Sequence, residues 1–293
     1  MHLSLLWLET AKNGLVNGAL IALLAVAFSW IYRTTRVFHI TLGAQILAGA
    51  YAAVYFSRLV QSFALAAIAG VFASIAVSMV LMRANSSLQR REASNALRLI
   101  ASVGLYFMAV GICAILFGPG IKRGSVPLGS SLQVGPLLVS PTDLHYTIAL
   151  ITVGIVLMLL VRSPVGMGIA AVGSNRRLYS VLGHAEGRVL TIVHITTGVI
   201  AGFCGAFEGL RNGVEPYGYL PITIFAAVAA LLGGRSLFLG PIIAGLVLGC
   251  LKSIATQTLS DAWIDTAIYG ILLIAVCFWP RLVLAPAVDE ERP

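Results

Sequence analysis

Long apolar stretches alternate with short polar ones along the whole chain. The apolar runs cover roughly residues 14–32, 38–56, 60–82, 99–118, 145–162, 190–210, 217–234, 240–258 and 264–280. Most approach the roughly 20 residues that an α-helix needs to cross a bilayer. They are continuously apolar instead of alternating, which excludes a lipid-embedded barrel. An open strand edge cannot be satisfied in lipid either. The pattern predicts an all-α polytopic membrane protein with eight or nine transmembrane helices, one of them short or re-entrant. A single transmembrane domain spans 1–293. The ambiguous run is 217–234, which carries Pro221 and Gly233-Gly234 and follows Pro216. If it crosses, there are nine spans and a cytoplasmic C-terminus. If it re-enters and returns, there are eight and the C-terminus lies outside.

Composition agrees. Of 293 residues, 59% are hydrophobic and only 10% are charged, against about 25% charged in a soluble domain. Mean hydropathy is +0.95. No length remains for a soluble catalytic or nucleotide-binding domain. The net charge of +8 does not point to nucleic acid, because the basic residues sit in short loops and not on one contiguous face.

Placed along the chain, the charges orient it. Arg33 and Arg36 lie in one polar stretch, Arg83, Arg90, Arg91 and Arg98 in another, and Arg162, Arg176, Arg177 and Arg188 in a third. Counting spans puts all three on one side, which the positive-inside rule makes cytoplasmic, with the N-terminus outside. The opposite loops hold Arg58, Lys122, Arg123 and Arg211 together with Asp143, Glu208, Glu215, Asp261 and Asp265. Ala25-Val26-Ala27 looks like a signal-peptide cleavage site. Glu9 and the basic residues that follow the first run, instead of preceding it, argue against that reading.

Candidate chemistry is sparse. The four cysteines (Cys113, Cys204, Cys250, Cys277) lie inside apolar runs without metal-ligand or disulfide spacing. There is no HExxH, no GxxxxGK[ST] and no nucleophile–base set, so neither an enzyme, a metal site nor a cofactor is expected. Carboxylates are almost absent from span centres, where a proton- or sodium-coupled carrier needs one. This argues against a self-sufficient secondary carrier or channel.

Three segments stand out. The connection of about 27 residues from Arg162 to Arg188 is long for a helix–helix loop. Val172, Tyr179 and Leu182 in it fall at helical spacing, with Arg176 and Arg177 on another face and Gly183 as a stop. Such a helix either seats in a partner's groove or lies on anionic lipid. The second segment, Thr34–Gly49, interrupts an apolar span with His39, Thr41, Gly43 and Gln45, as a broken helix facing a cavity does. A bland alternative places His39 at the headgroup boundary with a local hydrogen bond. The third is Gly233-Gly234-Arg235, a turn where a gate would sit. It is followed by Gly245-x-x-x-Gly249, a small-residue packing face.

These features together resemble the permease family of branched-chain amino-acid and urea-type ABC importers, in particular its LivH-like branch, over nearly the whole chain. Pro164, Gly166, Ala171, Asn175, Leu182 and Gly183 fit the family's cytoplasmic loop, with departures at Ala170, Tyr179 and His184. Pro216, Gly218, Phe225, Ala226, Leu232, Gly233, Gly234, Gly240, Gly245, Gly249 and Pro280-Arg281 fit its later part. Asn17-Gly18 and Gly49-Ala50-Tyr51 fit its front. The family's polar Asn-Phe-Ala-His-Gly-Glu segment is degenerate here, as His39-Ile40-Thr41-Leu42-Gly43-Ala44.

The resemblance implies a multi-pass subunit of a bacterial inner membrane that imports branched-chain or related amino acids, or another small solute such as urea or an amide. It implies a coupling helix around Gly173–Gly183, with Ala171, Gly173, Asn175, Arg176, Tyr179, Leu182 and Gly183 engaging a cytoplasmic ATPase. It implies a pathway near Asn17, His39, Thr41, Gly43 and Gln45. The expected partners are a second homologous permease, two ATPase subunits and a periplasmic solute-binding protein. Charge and side make Lys122, Arg123 and Arg211 the candidate cations for docking that protein.

Overall fold

The computed structural model describes residues 2–125, 132–134, 137–139, 141–234 and 236–258, with the separate positions 263, 266, 269 and 270. Helix α1 (His2–Thr35) is the axis of the bundle. Every residue from Leu20 to Ile31 is buried, as expected of a helix that is apolar on all sides. Against it pack α5 (Pro141–Arg162), α8 (Glu186–Asn212), α9 (Tyr219–Leu232) and α10 (Leu239–Thr258), while α2 (Leu42–Val60) and α3 (Phe63–Arg90) pack on α8 and α4 (Asn95–Phe117) on α2 and α3. Two short helices, α6 (Pro164–Ser174) and α7 (Arg176–Val181), fill the long connection between α5 and α8.

Among the described residues the regular structure is helical, with one small strand pair besides. In the connection between α4 and α5, β1 (Leu132–Val134) and β2 (Leu137–Val139) pair antiparallel, Leu132 facing Val139. Five helices (α1, α3, α4, α8 and α10) are long and apolar enough to span a bilayer alone, and α5 with α6 forms a sixth, bent unit. The expected eight or nine spans are compatible with this set once α2, α9 and the run 264–280 are added. Only three positions of that last run are among the described residues.

Packing explains the glycines. Helices α1 and α10 run antiparallel at backbone contact: a side chain on Gly249 would overlap Gly18, and one on Gly245 would overlap Ala22. Gly245-x-x-x-Gly249 is thus a packing face, the usual solution where hydrophobicity cannot drive helices together. The large apolar side chains instead point outward from α3, α4, α5 and α10, as Phe72, Ile115, Leu159 and Ile243 do.

The direction of α9 bears on the ambiguous run. Its first residue follows the Val214 strand-like contact with Lys122, at the end of the bundle where α8 finishes. Its last turn reaches Gly233-Gly234, beside Arg33 near the other end of α1. The chain then returns along α1 as α10, with Leu237 against Trp30 and Ser253 against Thr10. So α9 and α10 run in opposite directions along the bundle. At 14 residues α9 is about 21 Å long, shorter than the ~30 Å hydrocarbon core.

Candidate functional site

The arginine-rich end of the bundle is tied together by side chains that donate to main-chain carbonyls. In the last turn of α1, Arg33 donates from Nη2 to Gly234 O (2.7 Å) and Ser236 O (3.0 Å). Trp30 Nε1 donates to Leu237 O at 2.9 Å. Arg36 lies just past the helix in the left-handed region, at φ 55°. Its guanidinium donates to Gly173 O, at the last turn of α6. Two arginines three residues apart therefore link the turn after α9 to the helix after α5. Gly233 and Gly240 cross so closely that a Cβ on either would overlap the other's backbone. Gly234, at φ 59°, takes the conformation that glycine adopts without strain. Arg235 lies outside the described residues.

Arg98 makes a third tie. It is 7% exposed and donates to Asn85 Oδ1 (3.1 Å), Asn95 Oδ1 (3.4 Å) and Thr35 O (3.3 Å). It joins the cytoplasm-assigned ends of α3, α4 and α1. Sequence reading counted Arg98 as a loop cation. Its position four residues into α4, after the Ser94 cap, was the available signal.

The long connection differs from the single helix its spacing predicts. Pro164 and the Ser163 cap start α6, which bends 67° from α5. Asn175 then adopts extended geometry (φ −146°, ψ 97°) and ends α6, while its Oδ1 accepts from Leu178 N at 2.8 Å and starts α7. One Asn is both stop and cap, as its short polar side chain allows. The helix is therefore split. Ala171 and Gly173 belong to α6, where Val172 is buried and Gly173 packs on Arg33. Val172 does not join the apolar ridge its spacing suggested. Helix α7 buries none of its residues. Leu178 (54% exposed), Val181 (75%) and Leu182 (65%) form its apolar side. Arg176 pairs with Glu186 through two bonds, 2.6 and 3.2 Å, fixing α7 to the start of α8. Tyr179 stacks on His184, and Gly183 ends the helix at φ 81°.

The second segment does not break a span, contrary to what its composition suggested: α1 stops at Thr35, a short link carries His39 and Thr41, and α2 runs unbroken from Leu42 to Val60 with Gly43 and Gln45 inside it. His39 and Thr41 are buried and face a small cavity with Asn85, Arg98 and Ser102. No local hydrogen bond satisfies His39; its Nε2 has no partner among the described residues. Gly43 sits where a Cβ would meet Tyr106 of α4 and Thr223 of α9, both at 2.7 Å. Gln45 is 1% exposed and its Oε1 has no partner among the described residues. The hydroxyls of Tyr51, Tyr106 and Tyr219 are in the same condition. A discontinuous seam of buried polar groups thus follows α2, α4 and α9. Asn17 does not join it; it lies on α1 beside Gly249 of α10. Sequence reading missed Tyr106, Tyr219 and Thr223, which apolar surroundings make look like ordinary core residues.

At the opposite end, Lys122 and Val214 exchange two backbone hydrogen bonds of 2.8 Å. Arg123 approaches Gly213, and its carbonyl accepts from Arg58 at 3.0 and 3.3 Å. Lys122 and Arg123 are thereby brought beside the last turn of α8, which carries Arg211.

A family described as "Branched-chain amino acid transport system / permease component" matches residues 10–277. The chain is 22% identical to the high-affinity branched-chain amino acid transport system permease protein BraD of Pseudomonas aeruginosa, over 97% of this chain and 98% of that protein. It is equally similar to the corresponding LivH permease protein of Escherichia coli, over 98% of each. It is 24% identical to a probable branched-chain amino acid transport permease protein LivH of Methanocaldococcus jannaschii, over 94% of this chain and 90% of that one. No solved structure matches at a significant level.

Proposed function

Since the chain belongs to the family of permease components of branched-chain amino acid transport systems, we propose that it is the membrane subunit of an ATP-driven importer of branched-chain or related amino acids. It forms half of a pore with a second permease in the bacterial inner membrane. ATP is hydrolysed on two separate cytoplasmic subunits, and a periplasmic binding protein delivers the solute. The arginine-rich end faces the cytoplasm.

The observation that carries this reading is the linkage through α1. Helix α7 presents Leu178, Val181 and Leu182 beyond the bundle, where a groove of an ATPase subunit can hold them. Its movement passes to α6, from Gly173 to Arg36 just past α1, and from Arg33 in the last turn of α1 to the Gly233-Gly234 turn below α9. Helix α9 carries Tyr219 and Thr223 of the polar seam. Closing and opening the ATPase pair therefore shifts packed elements between two arrangements and alternates access to the path. The seam of Thr41, Gly43, Gln45, Tyr106 and Thr223 supplies the path's polar wall. Of these, Gln45 Oε1 and the Tyr106 hydroxyl have no partner among the described residues, as groups facing a water- or solute-lined route do.

The test is co-purification. Leu182→Asp puts a charge on the exposed ridge without touching the bundle, so the variant should insert and fold normally but lose its ATPase subunits. Recovery of ATPase at the wild-type ratio would overturn the assignment.

A further inference from the structure

The arginines at the α7 end fall into two groups. Arg33, Arg36, Arg98 and Arg176 donate to other parts of the protein. Arg83, Arg90 and Arg91 do not. They are exposed, and among the described residues nothing partners their guanidinium groups. Glu92 is the one acid from Arg83 to Arg98, and it forms no ion pair with them. We propose that these three arginines hold the headgroup of an anionic phospholipid, whose chains lie along the outer face of α3 and the start of α4.

Helix α3 places the cations at the right depth. One side of it buries Ala67, Gly70, Ser74, Ser78 and Leu81 against α2 and α8. The opposite side exposes Phe72, Ala76, Val80, Arg83, Ser87 and Arg90. Steps of three and four residues keep these on one helical face. The stripe is apolar as far as Val80 and polar from Arg83 onward. With 28 residues, α3 is about 42 Å long, whereas about 20 residues cross the hydrocarbon core. Counted from Phe63, the core ends near Arg83. The cations therefore begin where phosphate groups begin, on a face that points into lipid.

The neighbouring helix supplies apolar wall beside them. Arg98 of α4 donates to Asn85 of α3 at 3.1 Å, which holds the first turns of α4 at the level of Arg83 and Arg90. Leu97 and Ile100 are exposed in those turns. Phosphate accepts charge-assisted, bidentate bonds from guanidinium groups, and basic residues just outside the core attract anionic lipid. An acidic patch on an ATPase subunit is the other anion within reach. The continuity of the arginines with Phe72 and Val80 on one outward stripe favours the membrane.

The experiment places the complete complex in nanodiscs of equal phosphatidylglycerol and phosphatidylcholine. The complex is then extracted in mild detergent, and the lipid that stays bound is quantified. Wild type should retain phosphatidylglycerol in excess, and the excess should shrink as salt is raised. Arg83→Gln, Arg90→Gln and Arg91→Gln, combined, should lower that preference about fivefold for each arginine removed. The three corresponding lysine substitutions keep the charge and should keep most of the excess. Arg58→Gln, Lys122→Gln and Arg123→Gln, combined at the opposite end, should leave it unchanged. Equal retention of both lipids by wild type overturns the proposal, as does an undiminished excess in the glutamine variant. Loss of ATPase subunits from that variant with the lipid excess intact also overturns it, because the arginines then serve a protein surface. Loss of the excess in the opposite-end variant or in the lysine variant counts the same way. Lipid retention needs no transport, so this result and the import function stand or fall separately.

Discussion

The two ends of the bundle use charged side chains in opposite ways. At the α7 end, Arg33, Arg36 and Arg98 each donate to a main-chain carbonyl on another segment. Those carbonyls stand at the ends of α1 and α6 and in the turn after α9, where helical bonding runs out. At the other end, Glu208, Glu215 and Lys252 line a cleft from three separate elements. Cations at one end tie separate segments together, while residues of both signs at the other line a cleft. Charge counts show the first bias and hide the second, because a pair of opposite signs sums to almost nothing.

The contrast can be broken most severely at Arg98. Arg98→Ala strands Thr35 O and Asn85 in a buried setting. It should destabilise the protein by about 2–3 kcal/mol, the range for a hydrogen-bonded charge, read as a lowered melting temperature of the detergent-solubilised complex. A fall no larger than that of a surface substitution would show that the tie is not structural. Next comes the linkage itself. Arg33→Ala with Arg36→Ala should lower uptake about tenfold, a coupling of roughly 1.4 kcal/mol, while stimulated ATP hydrolysis continues. Equal losses of both activities would reduce the arginines to scaffolding. The smallest effect belongs to the far end. Arg58 packs over Tyr55 and donates to Arg123 O, but it is exposed. Arg58→Ala should cost less than about 1 kcal/mol and leave uptake intact. A larger loss there would erase the asymmetry between the ends.

Several parts of this arrangement were legible in residue order. The link before α2 was visible only in part: His39 and Thr41 fall in it, but Gly43 and Gln45, which also interrupt the apolar run, lie inside continuous α2. The packing role of Gly245 and Gly249 followed from their four-residue spacing. The long connection after Arg162 stood out by length, but its division did not. Asn175 is compatible with a helix interior or with a cap, and only the packing of Val172 and Gly173 against α1 and its neighbours selects the break. The partners of Arg33 and Arg36 were also out of reach, since they are carbonyls about 200 and 137 residues away. A carbonyl carries no sequence identity. Tyr219 and Lys252 are 33 positions apart, and nothing in their spacing brings them to one cleft.

Hydropathy and charge order by themselves determined that this is a multi-pass helical membrane protein and which end gathers the arginines. Those properties are local: bilayer thickness demands a length of apolar chain, and prolines, glycines and caps act on their own turns. Tertiary structure decided the rest. It joined α6 to α1 and α1 to the turn after α9, left α7 uncovered, and collected Glu208, Glu215, Tyr219 and Lys252 around one space. Those outcomes depend on which helix backbones can approach closely, and on where side chains from distant segments then meet.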